Sequence, residues 1–322
     1  MRRRELILAA AATIAVPSIV IAQKKVPVIG LLWTDSVKPS PFTPFLLEGL
    51  RERGWIAGRD FRVEDRVTLQ GYGGYAESTA ELVRAKVDVI VAYGSTAANA
   101  AAKATKEIPV VMMVGVDPVA TGLVPSLARP GGNLTGVATM ATALNAKRIE
   151  LLKELSPGVT RIGVVLARNV GNPLYRRESE IAARALGLEL HFGEAAKAED
   201  VDDVIAELAK ARIGALYISP ASVLQARSAH VVDVVAKHRL PAVYGQERYV
   251  EAGGLLVYTA SARKAFLRAA GYVDRILKGA RPGELAIEQA SDAELIVNLK
   301  TAAVLGIKVP QTVLVRADRV IE

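Results

Sequence analysis

Short apolar runs alternate along this chain with amphipathic segments of helical length, and the alternation runs through it twice. VPVIGLLW (Val26 to Trp33) reads as a strand and PFLLEGLRERG as the helix after it. VDVIVAYG (Val87 to Gly94) reads as a buried strand, Thr96 to Lys106 as an Ala-rich helix and IPVVMMVG (Ile108 to Gly115) as the next strand. Continuous Val/Ile/Leu runs bounded by turn residues suit parallel strands buried on both faces, with the helices as crossovers. The second half repeats the order. Ile29-Gly30-Leu31-Leu32 returns as Ile162-Gly163-Val164-Val165, Ala80-Glu81-Leu82 as Ala206-Glu207-Leu208, and Ile108-Pro109-Val110-Val111 as Leu240-Pro241-Ala242-Val243. Any two βαβ units can share one such match by chance; three in the same order and at similar spacing point to duplication. The expected fold is α/β, two doubly wound parallel-sheet lobes joined by a multi-crossing hinge, with the cleft between the carboxyl ends of their strands as the default pocket.

The ends and joints follow from composition shifts. Met1 to Arg4 is basic and Leu6 to Ala22 apolar with a late Pro17, and Val20 and Ala22 offer small residues for a cut before Gln23. The run is short for a membrane anchor, which needs about 20 apolar residues, so residues 1–22 are expected to be an export signal. Arg3-Arg4 leaves the export route open between the general and twin-arginine systems. The Gly/Pro-rich Arg129-Pro130-Gly131-Gly132-Asn133 closes the first lobe, and Gly253-Gly254 suggests a return. Lobe 1 is thus expected at 23–140 plus about 257–287, and lobe 2 at 141–256 plus about 288–322, with GELAIEQ and ELIVNL as late strands.

Several chemistries are excluded at once. The chain of 322 residues has no Cys, which removes disulfides, thiolate catalysis, Cys-ligated metals and a Cys lipid anchor. Its net charge of +8 is partly carried by Arg2, Arg3 and Arg4, and the rest is scattered without a basic block, so no nucleic-acid partner is expected. No phosphate loop, H-E-x-x-H or G-x-S-x-G motif is present. His191, His230 and His238 have no second ligand at metal spacing, so no metal and no cofactor are expected. Gly71-Tyr72-Gly73-Gly74-Tyr75-Ala76 fits a loose dinucleotide pattern, but it follows the second strand and carries bulky tyrosines where a pyrophosphate must approach. It reads better as a turn into a helix.

What does gather at strand ends is a set of aromatics, hydroxyls and amides: Trp33-Thr34-Asp35-Ser36, Tyr93-Gly94-Ser95-Thr96, Val116-Asp117, Arg168-Asn169, Tyr217-Ile218-Ser219, Tyr244-Gly245-Gln246 and Tyr258-Thr259. The candidate ligand-binding residues are therefore Thr34, Ser36, Tyr93, Ser95, Thr96, Asp117, Asn169, Ser219, Tyr244, Gln246 and Tyr258. Aromatics also plug sheet ends and hydroxyls also cap helices, so each position has a purely structural alternative. Ser95 and Thr96 open a helix, where free N–H groups and the dipole favour a carboxylate. Asp117 suits an ammonium or hydroxyl. The set fits a small organic acid or amino acid, with a ring stacked on Tyr or Trp.

The chain resembles the solute-binding proteins of ABC importers, in the branch that includes binders of tryptophan and other aromatic compounds. AELVRAKVDVIVAYGSTAANAAAKAT, IPVVMMVGVDPVATGLVPSLARPGGNLTGV, KRIELLKELSPGVTRIGVV, RLPAVYGQERYVEAGGLLVY, YVDRILKGARPGEL and IVNLKTAAVLGIKVP carry the resemblance, DPVATGLVPSLARPGGNLTG most specifically. It implies a type I periplasmic binding fold, one small-molecule ligand in the cleft, a permease and its ATPase as partners, a periplasmic location, a monomer and no enzymatic activity. Thr34, Ser36, Ser95, Thr96, Asp117, Tyr244 and Tyr258 match the family's ligand loops. Val257-Tyr258-Thr259 departs from a common Ser-Tyr-Gly and Ser291-Asp292-Ala293 from Thr-Lys-Phe, and members bind varied solutes, so the resemblance names no single ligand. An exported two-lobed enzyme acting on a small nucleotide-like substrate, and a ligand-sensing subunit of a membrane receptor, are the alternatives.

Overall fold

Ile29, Leu31, Leu32 and Trp33 are each at most 1% exposed, so strand β1 (Val28–Thr34) is buried on both faces. Such a strand must lie in a sheet covered by helices on both sides, and the computed structural model, which describes residues 25–34, 42–68, 71–114, 116–139, 144–168, 172–290 and 292–322, shows that arrangement. The chain continues through α1 (Thr43–Arg51), β2 (Arg62–Thr68), α2 (Tyr75–Arg84), β3 (Val89–Tyr93), α3 (Ser95–Ala104), β4 (Val110–Val114) and β5 (Leu134–Ala138). The second half runs through α4 (Asn145–Leu155), β6 (Arg161–Ala167), α5 (Asn172–Ala185), β7 (Glu189–Ala195), α6 (Val201–Lys210), β8 (Ala215–Ile218), α7 (Ser222–Gln225), α8 (Ser228–Lys237), β9 (Ala242–Tyr244), α9 (Arg248–Glu251) and β10 (Leu256–Ala260). It ends with α10 (Ala262–Leu277), β11 (Glu288–Gln289), β12 (Ala293–Asn298), α11 (Leu299–Leu305), α12 (Gln311–Leu314) and β13 (Arg319–Ile321).

The duplication is visible in the strand orders. One six-stranded sheet is ordered β11-β5-β4-β3-β1-β2, and a seven-stranded one β13-β12-β10-β9-β8-β6-β7. Stripped of their late strands, both follow the order 2-1-3-4-5, which reverses direction between its first and third strands and opens a crevice at their carboxyl ends. The first sheet is parallel throughout; in the second, β12 runs antiparallel to β10 and β13 follows β12. Small residues set the layers. Ala97, Ala98 and Ala101 on α3 are fully buried against the first sheet. In β5 Gly136 adopts φ +136, and a Cβ there would meet the Met112 carbonyl at 2.1 Å.

Among the described residues, the chain approaches the junction of the lobes three times, after β5 at Ala138 and Thr139, at Ser261, and at Ala290 and Asp292. The Ala290 N–H donates to the Ala138 carbonyl (2.9 Å) and the Ser261 N–H to the Asp292 carbonyl (3.1 Å), so the passages run side by side. Arg268 of α10 pairs with Glu288 (2.7 Å) and with Asp292. The return from lobe 2 falls later than Gly253-Gly254 suggests: β10 pairs with both β9 and β12, so the chain leaves the second sheet only after Ala260. α10 then packs in lobe 1, with Phe266, Ala269, Ala270 and Val273 buried against α1 and the sheet. Of GELAIEQ only Glu288–Gln289 pairs, along the end of β5. Gly71–Gly74 is a 3-10 turn leading into α2. The expected export signal at 1–22 lies outside the described residues; among those described, no helix is long and apolar enough to cross a membrane.

Candidate functional site in the interlobe cleft

β3 ends at Tyr93, and Gly94 (φ +94) turns the chain so that α3 starts at once with Ser95 and Thr96. Both residues, with Tyr93, line a partly open cavity between the lobes. Lobe 1 adds Phe42 from the start of α1, Met113 and Val116 from the end of β4, and Ala262 and Ala265 of α10; Thr139 enters from the first passage. Lobe 2 supplies Tyr175 of α5, Pro220, Ala221 and Gln225 after β8, Gly245, Gln246 and Glu247 after β9, and Thr259 of β10. The cavity holds about 100 Å³. At about 10–15 Å³ per water-sized position, that is the scale of one amino acid.

Its two walls differ in chemistry. The lobe-1 wall is aromatic: Phe42 and Tyr93 lie 5.1 Å apart, and both pack on Phe266, at 5.4 and 5.6 Å. Beside that wall is the amino end of α3, whose dipole and first N–H groups favour an anion. The lobe-2 wall carries acceptors. The buried Gln246 Oε1 has no hydrogen-bond partner among the described residues. Glu247 lines the cavity while pairing with Arg319 of β13, which fixes its carboxylate. Together the walls offer an apolar ring surface, an anion site and hydrogen-bond acceptors beside a carboxylate, the complement of a zwitterion with a ring.

Behind the lobe-2 wall lies a buried arginine. Arg148 of α4 is fully buried; its Nε donates to the Tyr258 carbonyl (2.8 Å), and its Nη1 to Asn145 Oδ1 (2.8 Å) and the Tyr217 hydroxyl (3.1 Å). The Tyr217 hydroxyl donates to Asn145 Oδ1 (2.6 Å), and Asn145 Nδ2 donates to the carbonyl of the cavity residue Tyr175 (3.3 Å). Burial pushes the Tyr217 phenol up, opposed in part by the Arg148 charge. The network ties α4, which follows the first passage, to β10, which precedes the second.

Of the candidate residues, Tyr93, Ser95, Thr96 and Gln246 meet at the cavity. Ser36 and Asn169 lie outside the described residues, and Thr34 ends β1. Asp117 does not line the cavity: its carboxylate accepts the Val119 N–H (2.8 Å) and shapes the turn before Gly122. Ser219 is buried at the end of β8, one residue short of the lining Pro220. Tyr244 is stacked on Tyr249 (4.8 Å) within lobe 2, and Tyr258 packs against the lobe-2 core while its neighbour Thr259 lines the cavity. Strand alternation accounts for that last exchange, since adjacent residues face opposite sides. Phe42, Tyr175, Gln225 and Glu247 escape a search of strand ends because they lie in helices or at helix starts, whereas Thr139, directly after β5, satisfies that rule and yet is absent from the candidates.

The histidines differ in one respect from expectation. His191 Nε2 lies 3.0 Å from Glu189 and His230 Nε2 2.7 Å from Asp202, so each has one carboxylate neighbour. Among the described residues, no three His, Cys, Asp or Glu cluster closely enough to hold a metal.

Known proteins place this architecture. A family model described as ABC transporter substrate binding protein matches residues 45–321. A tyrosine-binding protein of Clostridioides difficile (strain R20291) is 25% identical over 263 residues, 81% of this chain and 75% of its own. Among solved structures, a conserved domain protein of Vibrio cholerae O1 biovar El Tor is 26% identical with a TM-score of 0.85, covering 92% of this chain and 100% of that one. An ABC domain in complex with L-Trp from Streptococcus pneumonia is 24% identical with a TM-score of 0.82, over 92% and 99% of the two chains. With the family model spanning both lobes and all three passages, the chain belongs to the ABC transporter substrate-binding proteins.

Proposed function

We propose that this protein captures an aromatic α-amino acid in its interlobe cleft, outside the cytoplasm, and delivers it as a monomer to a membrane permease driven by its ATPase. The observation that carries the reading is the division of the cavity: ring surface and helix amino end on lobe 1, acceptors and a carboxylate on lobe 2. A ring on Phe42 and Tyr93 leaves the ligand carboxylate near Ser95 and Thr96, and its ammonium toward Gln246 and Glu247. The relatives named for tyrosine and bound to L-Trp support this class of solute. The basic and apolar residues at 1–22 support export.

The test is a thermal-shift and calorimetric screen of the chain from Gln23 against aromatic, aliphatic and charged amino acids. A bound solute at 100 times its Kd adds about 2.7 kcal/mol of stability. L-tyrosine, L-tryptophan or L-phenylalanine is expected to give the largest shift, without turnover. A shift confined to nucleotides, or to amino acids without a ring, would overturn the reading. Export is checked by fractionating the native cell and sequencing the amino terminus of the secreted form.

A further inference from the structure

Tyr244 draws attention to a second pocket, on the far side of lobe 2. It lies between α8 and α11, encloses about 300 Å³, and shares no lining residue with the cleft. That is the lower end of the range for small-molecule sites, about 300–1,000 Å³. Its inner wall is apolar, with Val235, Ala242 and Leu255 each at most 3% exposed. Three polar side chains break that wall, one of them Thr301, whose hydroxyl is already spent on the Gly253 carbonyl (2.6 Å). At the inside, Tyr244 is 2% exposed, and its hydroxyl makes no hydrogen bond to any described residue. Burial alone pushes this phenol well above its ordinary range, with no partner to offset it. At the mouth, the exposed Arg239 follows α8 in a left-handed conformation (φ +54), and its guanidinium pairs with no carboxylate among the described residues. Val304, 77% exposed, forms the opposite lip.

A phenol that lines a pocket without a protein acceptor is free to donate to an occupant, and an apolar pocket with a single charged lining residue, Arg239, invites an amphipathic anion. We propose that this pocket is a second ligand site, taking a medium-chain carboxylate that bears an oxo or hydroxyl oxygen near its far end. The carboxylate pairs with Arg239 at the mouth, the chain lies against Val235 and Leu255, and the far oxygen accepts the Tyr244 hydroxyl proton. The reading does not depend on what the cleft binds.

Calorimetric titration of the chain from Gln23 with octanoate and 7-oxo-octanoate tests it, with and without saturating L-tyrosine. One mole of 7-oxo-octanoate is expected to bind per chain, about 5- to 10-fold tighter than octanoate, as one added hydrogen bond provides. Tyr244→Phe is expected to abolish that difference while keeping the fold, Arg239→Gln to weaken both ligands, and the exposed Ala236→Trp to block both. Saturating L-tyrosine is expected to change none of these values. Absence of binding by both carboxylates overturns the site. So does displacement by L-tyrosine, or indifference to Ala236→Trp in a variant whose circular dichroism matches the parent. Equal affinity for the two carboxylates overturns the role of Tyr244.

Discussion

Arg148 shows how much one residue can hold together. A fully buried guanidinium is tolerable only when its donors are occupied, and this one spans a main-chain carbonyl of β10, a carboxamide of α4 and a phenol of β8. Arg148→Ala removes those donors and leaves a cavity beside the Tyr258 carbonyl, so a loss of about 2–4 kcal/mol is expected, read as the midpoint of urea unfolding. Arg148→Lys is expected to recover little, because an ammonium cannot reproduce the planar fork that meets Tyr258 and Asn145 together. A lysine variant as stable as the parent would show that charge, and not geometry, is what the network needs. Nothing in the sequence announces this arginine: KRIELLKEL reads as a surface helix, and only the fold turns one of its basic residues inward. Tyr93, Ser95 and Thr96 were legible, because a strand, a glycine and a helix start follow one another directly. Tyr244 and Tyr258 satisfy the same rule and yet face other parts of lobe 2, since the face on which a strand-end residue emerges depends on register.

At the scale of elements, the contact between α1 and α10 is set by the lack of a side chain. A Cβ at Gly49 would lie 2.7 Å from the Ala270 Cβ and 3.2 Å from the Leu267 backbone, so the helices approach as closely as they do only through that glycine. Alanine has the better helix propensity by about 1 kcal/mol, but here the clash dominates. Gly49→Val is expected to destabilise by about 1–3 kcal/mol, measured by thermal unfolding, and Ala270→Gly in the same chain is expected to restore part of the loss. Additive effects of the two substitutions would show that the helices do not meet at this point. The two halves of the fold were readable as elements: the run Val87 to Gly94 holds β3, and the Ala-rich stretch Thr96 to Lys106 holds most of α3. Which lobe β10 joins was not, because periodicity reports that a face is buried and not against which sheet. The misplaced return at Gly253-Gly254 has this cause: the glycines end α9 within lobe 2, where Gly253 (φ +96) turns the chain back toward β10.

For the molecule as a whole, the proposed reading of the divided cleft makes closure depend on both ends of the solute at once. Lobe 1 offers the ring surface and the helix end, lobe 2 the Gln246 acceptor and the Glu247 carboxylate, and side-by-side passages at 138–139, Ser261, and Ala290 and Asp292 are the arrangement expected of a hinge. A solute can shift that equilibrium only by the difference in its contacts with the two states. If the ammonium is what lobe 2 recognises, 3-(4-hydroxyphenyl)propionate keeps the ring and carboxylate of L-tyrosine but leaves Gln246 Oε1 without a donor. It is then expected to bind about 10- to 100-fold more weakly, the cost of one buried polar group left unpaired. The same logic separates binding from closure. Small-angle X-ray scattering is expected to show the radius of gyration falling with L-tyrosine and remaining near its ligand-free value with the des-amino analogue, even at concentrations where that analogue saturates. Equal compaction by both would place the trigger on lobe 1 alone and leave Gln246 and Glu247 as bystanders.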